Sequence, residues 1–221
     1  SDSGLESYFE GQLKTVNYNA DNASEYKTDD MSSELSGVLG YFTKLRLYKN
    51  DLVKGNNHLL TPKLLVRYAP GHMRDVDKNK RIYYSDLFNI NKINEIDVIE
   101  NGLSASLGFE YKKNTLDQEG IKGDEKLSFS LGQVISEREN SDMPSSTSLD
   151  QKFSDVHGES KLKIGRNANF NYNFALDQNY KNMNFSEIGG DLVMGNTKFN
   201  ISYLEEKEHL GNQKYIKSDI E

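Results

Sequence analysis

The sequence predicts an all-β chain of antiparallel strands, on three observations. Apolar residues recur with period two, the alternating segments are long, and nothing of comparable length repeats at the helical period. Leu103, Ala105, Leu107, Phe109 and Tyr111 fall on one face of an extended segment, with Gly102, Ser104, Ser106, Gly108 and Glu110 on the other. Successive strand side chains point to opposite faces, so this alternation means one apolar face and one wet face.

Along the chain, about ten strands of roughly 8–15 residues are expected, near 5–19, 34–48, 58–68, 80–88, 98–112, 125–138, 152–166, 168–179, 184–195 and 197–208. In the second, Leu35, Gly37, Leu39, Tyr41, Thr43, Leu45 and Leu47 make one long face, with Lys44 and Arg46 opposite. Further on, Leu127, Phe129 and Leu131 alternate with Ser128, Ser130 and Gly132. Phe170, Tyr172, Phe174 and Leu176 alternate with Asn169, Asn171 and Asn173, and Phe199, Ile201 and Tyr203 with Lys198, Asn200 and Ser202. Polar connections are expected from Asn17 to Asp30, Gly71 to Lys80, Asn114 to Asp124 and Asn140 to Asp150, and short turns at Arg166-Asn167 and Gly195-Asn196. Many of these strands exceed the ~5–6 residues usual in soluble sheets. A tilted strand crosses a bilayer's hydrocarbon with ~9–11 residues. Short turns alternating with long loops suit a barrel with unequal ends. A soluble sandwich or lipocalin-like barrel alternates as well, with its apolar face inward, so alternation alone does not separate inside from outside. Strand length and the small Gly, Ser and Asn residues on the wet face favour an antiparallel transmembrane β-barrel.

Composition agrees. The 221 residues suffice for one domain, yet only 35% are hydrophobic and the mean hydropathy is −0.75, polar for a soluble domain of this size. Disorder does not explain this, because 13 Tyr and 10 Phe are too many for a chain that does not pack. No cysteine is present, which removes disulfides, thiol catalysis and thiolate metal sites from this stretch. A formal charge of −7 argues against nucleic acid. No apolar run is long enough for a membrane helix, and Ser1-Asp2-Ser3-Gly4-Leu5 does not read as an export signal.

No catalytic constellation, cofactor motif or metal site is read from the sequence. His58, His72, His157 and His209 are far apart and never at ligand spacing. Asp75-Val76-Asp77-Lys78-Asn79 opens like a calcium loop, but Lys80 stands where the sixth-position glycine belongs and Asp86 where a glutamate belongs. Glu205-Glu206-Lys207-Glu208 reads as a charged strand end rather than a carboxylate pair. Asn-x-Ser at Asn22, Asn184 and Asn200 matters only in a glycosylating secretory pathway.

Four pieces carry a family resemblance. The stretch from Leu87 to Gly102 resembles the Leu-Phe, Asn-Arg-Phe and Asp-Arg-x-Glu-x-Gly run of lipopolysaccharide-assembly protein D barrels, through Leu87, Phe88, Asn91, Asp97, Glu100 and Gly102. It departs at Lys92, Ile93, Glu95 and Val98, where the family has Arg, Phe, Gly and Arg. Leu131-Gly132-Gln133 is similar to the family's Leu-Gly-Gln strand end, and Ser154-Asp155-Val156-His157-Gly158 to its Ser-Asp-Leu/Val-x-Gly strand start. Thr61-Pro62-Lys63 through Tyr68-Ala69-Pro70 resembles the extended strand before the first run.

The resemblance covers roughly residues 58–220. It implies a large barrel in the bacterial outer membrane that inserts lipopolysaccharide into the outer leaflet, without catalysis or cofactor. It also implies a plug lipoprotein inside the barrel, periplasmic lipopolysaccharide-transport bridge proteins as further partners, and surrounding membrane lipids. Residues 1–221 would then be part of one barrel domain, truncated at both ends. The family's disulfides between periplasmic domain and barrel have no counterpart in this cysteine-free stretch.

If the apolar faces meet lipid, Asn169, Asn171 and Asn173 face the lumen, with Lys161 and Lys163 on the wet face of the preceding strand. Amides would meet sugar hydroxyls and lysines would meet phosphates of the glycolipid. The plainer alternative is that these residues only hydrate the interior. Rival readings are a general porin, a soluble ligand-binding barrel lined by Phe and Tyr, and a surface adhesin, for which the regular repeats are missing.

Overall fold

A computed structural model describes residues 4–18, 32–76, 80–116, 122–207 and 211–221. Eleven strands form one antiparallel sheet: β1 (Leu5–Tyr18), β2 (Ser32–Leu45), β3 (Leu47–Asp51), β4 (Asn56–Ala69), β5 (Gly102–Leu116), β6 (Lys122–Ser136), β7 (Val156–Ile164), β8 (Ala168–Leu176), β9 (Met183–Met194), β10 (Thr197–Glu206) and β11 (Gln213–Ile220). Chain neighbours are sheet neighbours except that β2 and β3 both pair with β4, and the sheet is open, with β1 and β11 at its ends. This is the up-and-down meander of an incomplete barrel.

β2 and β3 are one line interrupted at Arg46. Lys44 pairs with Lys63 and Leu47 with Leu60, so the register runs on while the ladder stops. Pro62 lies opposite the gap and has no N–H to donate. On its other side it pairs with Phe109 without a break.

Paired residues of neighbouring strands share a face. Through the registers, Tyr41, Val66 and Ala105 line up with Ile135, and Leu192 with Phe199 and Ile220. The alternating apolar sets named above therefore fall on one surface. That surface is uncovered: Leu39 is 71% exposed, Leu107 47% and Ile201 61%. A soluble barrel would have these side chains inside. Here the apolar face is the open one.

The core lies against the other face. Residues 71–76 and 80–101, between β4 and β5, fold across the polar side of the sheet as an inner strap, and the β6–β7 connection, 137–155, joins them. Met73, Val76, Ile82, Tyr84, Leu87, Ile93 and Val98 of the strap bury themselves with Val134 of β6 and with Met143 and Leu149. Fully buried Leu87 contributes about 1.5–3 kcal/mol by leaving water. The expected wet face of β5 is thus dry in part, and Ser104 and Ser106 are buried.

Two glycines make the close approach possible. A Cβ on Gly132 would stand 2.9 Å from Leu87 Cδ1 and 3.2 Å from Tyr84 Cε2, and one on Gly108 would stand 2.9 Å from Phe88 Cζ.

The strand expected over 80–88 is therefore a correction. Tyr84–Phe88 is a short 3-10 helix, and Asp86 accepts the Tyr83 N–H at 3.0 Å. Its side chains pack onto a finished wall rather than extending one. Residues 98–101 likewise belong to the strap, so β5 starts at Gly102 and runs to Leu116, leaving 117–121 of the expected polar connection. β11 is a strand the alternation did not suggest; it is exposed along its whole length. Connections at one end are short (52–55, 117–121, 165–167, 195–196), whereas 70–101 and 137–155 at the other are long. The unequal ends expected from the sequence are present. The 19–31 connection, Asn22, Asp77-Lys78-Asn79, Glu208 and His209 lie outside the described residues.

Candidate functional site

The inner, polar face has two parts: one filled by the strap, one open as a groove.

The strap is tied to strands across the sheet. At its start, Arg74 donates to Glu34 of β2 at 3.0 Å. Arg81 pairs with buried Glu206 of β10 and stacks over Phe185 of β9, 4.4 Å from the ring centroid. Lys63 of β4 lies over the Tyr84 and Phe88 rings at 5.6 and 5.3 Å. Lys14 of β1 donates to the Glu95 and Val98 carbonyls.

The innermost anchor is a charged cluster. Arg67 of β4 donates to the Ile90 carbonyl at 2.8 Å and to the Glu100 carbonyl, and its Nη1 is 3.5 Å from Glu100 Oε2. Glu100 Oε1 accepts the Ile93 N–H at 2.7 Å. Lys92 Nζ sits 3.6 Å from the same carboxylate, without a hydrogen bond, and the residue is 1% exposed. Burial pushes the Lys92 ammonium down to about 8, against the attraction of Glu100.

Two of the other three motif pieces contact the strap, the β4 piece through Arg67 and Lys63 and the β6 piece through Gly132. Asn91 donates to the Val98 carbonyl at 3.2 Å, and Asp97 faces Arg74 at 3.8 Å. Gln133 donates to the Ser154 carbonyl at 2.8 Å, and Ser154 Oγ accepts the Val134 N–H at 2.9 Å. Asp155 accepts the Asn184 amide at 2.9 Å, which makes Asn184 a buried structural residue. Gly158 lies directly beneath the Phe174 ring. The Ser154–Gly158 piece instead ties the β6–β7 connection to β6 and β9, and Gly158 with Phe174 lies on the outer face in line with Leu131.

The open groove runs over β6–β9 near the short-turn end and has a volume of about 640 Å3. All five residues singled out by sequence line it: Lys161, Lys163, Asn169, Asn171 and Asn173. Lys163 pairs with Asn169, Lys161 with Asn171, and Glu159 with Asn173. Across the next ladder, Asn169 meets Asp191, Asn171 meets Gly189 and Asn173 meets Glu187. Asn169 Nδ2 donates to Asp191 at 2.8 Å and Asn173 Nδ2 to Glu187 at 3.2 Å. Asn171 lies over Gly189, where a Cβ would come within 2.6 Å of its Oδ1.

The carboxylates are what sequence reasoning missed. Period two held the signal: Glu187, Gly189 and Asp191 alternate with Ile188, Gly190 and Leu192. Glu205 and Glu206 point to opposite faces: Glu205 faces Lys214 at 3.2 Å on one, and Glu206 holds Arg81 on the other. Among the described residues no group of His, Cys, Asp and Glu is arranged to hold a metal.

A family model described as LPS transport system D, LptD, matches residues 2–219. The chain belongs to the LptD family. LptD proteins are outer-membrane β-barrel components of lipopolysaccharide transport and assembly, not an enzyme family. The strap motif, Leu87 to Gly102, and its receiving glycines are thus structural parts of an LptD wall. No curated protein matches the chain.

Proposed function

We propose that this chain is part of the wall of a lipopolysaccharide translocon in the bacterial outer membrane, and that residues 1–221 belong to one larger barrel domain. The observation that carries the reading is the opposite chemistry of the two faces. The apolar face is uncovered from β1 to β11 and suits acyl chains, while the inner face carries the strap and an open groove of Asn, Lys and carboxylates. The short-turn end is periplasmic and the long connections are at the cell surface. Sugars pass along the part of the inner face that the strap leaves open, and acyl chains leave sideways into the outer leaflet. No bond changes, and the driving force comes from the periplasmic bridge proteins. A plug lipoprotein occupies the rest of the lumen.

Depletion of the full-length protein tests this. Loss of surface lipopolysaccharide with its accumulation in the periplasm is the expected result. Unchanged surface lipopolysaccharide with reduced solute uptake would replace the reading with a porin.

A further inference from the structure

The strongest feature that the transport reading leaves unused is the pairing of charges in the groove. We infer that the β7–β9 groove recognises the uncharged, hydroxyl-bearing sugars of the glycolipid and not its phosphates. The inference rests on the transport reading above and specifies which part of the substrate this face takes.

The lysines are not free cations. Lys161 is paired with Glu159, and Lys163 lies 3.7 Å from Asp124. Lys112, on the same side of the sheet, lies 3.3 Å from Glu125. With Lys126 included, four lysines stand among five carboxylates: Asp124, Glu125, Glu159, Glu187 and Asp191. A phosphate entering this set finds three of its four lysines already facing carboxylates, which discriminates against it.

The amides point the same way. Asn169 and Asn173 each use one N–H on a carboxylate of β9. Their carbonyls and the second carboxylate oxygens are acceptors, which a phosphate does not satisfy. A sugar hydroxyl donates and accepts, so it meets carboxylate, amide carbonyl and remaining N–H together. Between the two acid–amide pairs, the Asn171 amide packs directly over Gly189. With an amide at every second residue of β8 and an acid at every fourth of β9, this is a row of weak sites, suited to a sugar chain that moves.

The test uses the full-length protein in cells, with a photoreactive amino acid in place of Ser202. Ser202 pairs with Gly189 on this face, so the amides and acids stay intact. Three glycolipids are compared: complete, with the same sugars but without phosphates, and with the phosphorylated lipid anchor but without the sugar chain beyond it. Crosslinking is expected to survive removal of phosphates and to fall about tenfold on removal of sugars. Asn169→Ser with Asn173→Ser should lower it several-fold, and Lys161→Ala with Lys163→Ala should leave it within about twofold. Asp191→Ser with Glu187→Ser, a second disruption of the pairs, should match the Asn variant. Folded migration on an unheated gel confirms that each variant is intact.

Crosslinking that follows the phosphates, or is lost in the lysine variant, overturns the inference. So does the absence of any adduct while surface lipopolysaccharide is normal, which leaves the transport reading standing. Normal surface lipopolysaccharide after depletion of the protein is the separate result that removes that reading.

Discussion

Replacing Glu100 with Gln removes one charge from the strap's innermost anchor and leaves its shape almost unchanged. Gln keeps an acceptor for the Ile93 N–H, and Arg67 keeps its two carbonyl partners. What is lost is the counter-charge for two cations that are 2% and 1% exposed. At 3.5 and 3.6 Å, each contact is worth roughly 4–5 kcal/mol at an effective dielectric of ~20. The loss is smaller than the sum, because Lys92 sheds its proton: from a pKa of about 8, this costs roughly 1.4 kcal/mol at pH 7. The remaining penalty falls on Arg67, and about 3–5 kcal/mol is expected, as for other buried pairs that lose one partner. The assay is urea unfolding of the full-length protein in detergent, with proteolysis of the strap read in parallel. Glu100→Gln should lower stability by that amount and expose 80–100 to protease. Adding Lys92→Met should recover part of the loss. An unchanged unfolding midpoint with a protected strap would refute the claim that this cluster anchors it.

Other outcomes follow from the same geometry. Since Lys92 holds its proton less tightly folded than unfolded, where its ordinary value is 10.5, its contribution to stability rises as pH goes from about 8 to 10.5. The rise amounts to about 3 kcal/mol, and it should appear as the difference between wild type and Lys92→Met in unfolding scans across that range. Gly132→Val should displace Leu87 and Tyr84 and cost about 1–3 kcal/mol, with part of the loss recovered by Leu87→Ala in a double-mutant cycle. Ile201→Lys puts a charge on the uncovered apolar face and should cost about 2–4 kcal/mol of membrane stability if the position lies near mid-bilayer. Ser202→Lys, one residue away on the inner face, should be nearly neutral; equal effects in a gel-based folding assay would put lipid on neither face.

Much of the fold is legible because a strand's side chains have a period of two and its backbone has few choices. The alternation at Leu103–Tyr111 and Phe170–Leu176 places strands and faces correctly, and it puts Asn169, Asn171 and Asn173 beside Lys161 and Lys163. It fails where polar and apolar no longer mean wet and dry. Ile82 and Tyr84 alternate like a strand, yet they pack on the inside of the wall, because Gly108 and Gly132 leave room there. Lys92 and Arg67 are charged, yet they are buried against Glu100. β11 was missed because its one clear alternating face, Ile216 and Ile220, is interrupted by Ser218.

The sequence by itself determined the all-β class, the two unlike faces, the unequal ends and the family, since each is local or written in residue order. Only the tertiary structure decided that the hydrophobic core lies on the polar side of the wall, that the distant β4 and β6 motif pieces receive the strap, and that Lys161 and Lys163 of the groove already face carboxylates. Those are properties of which residues meet across the sheet. Pairing between strands and the folding-back of a long connection join residues far apart in the chain, and no local period records such contacts.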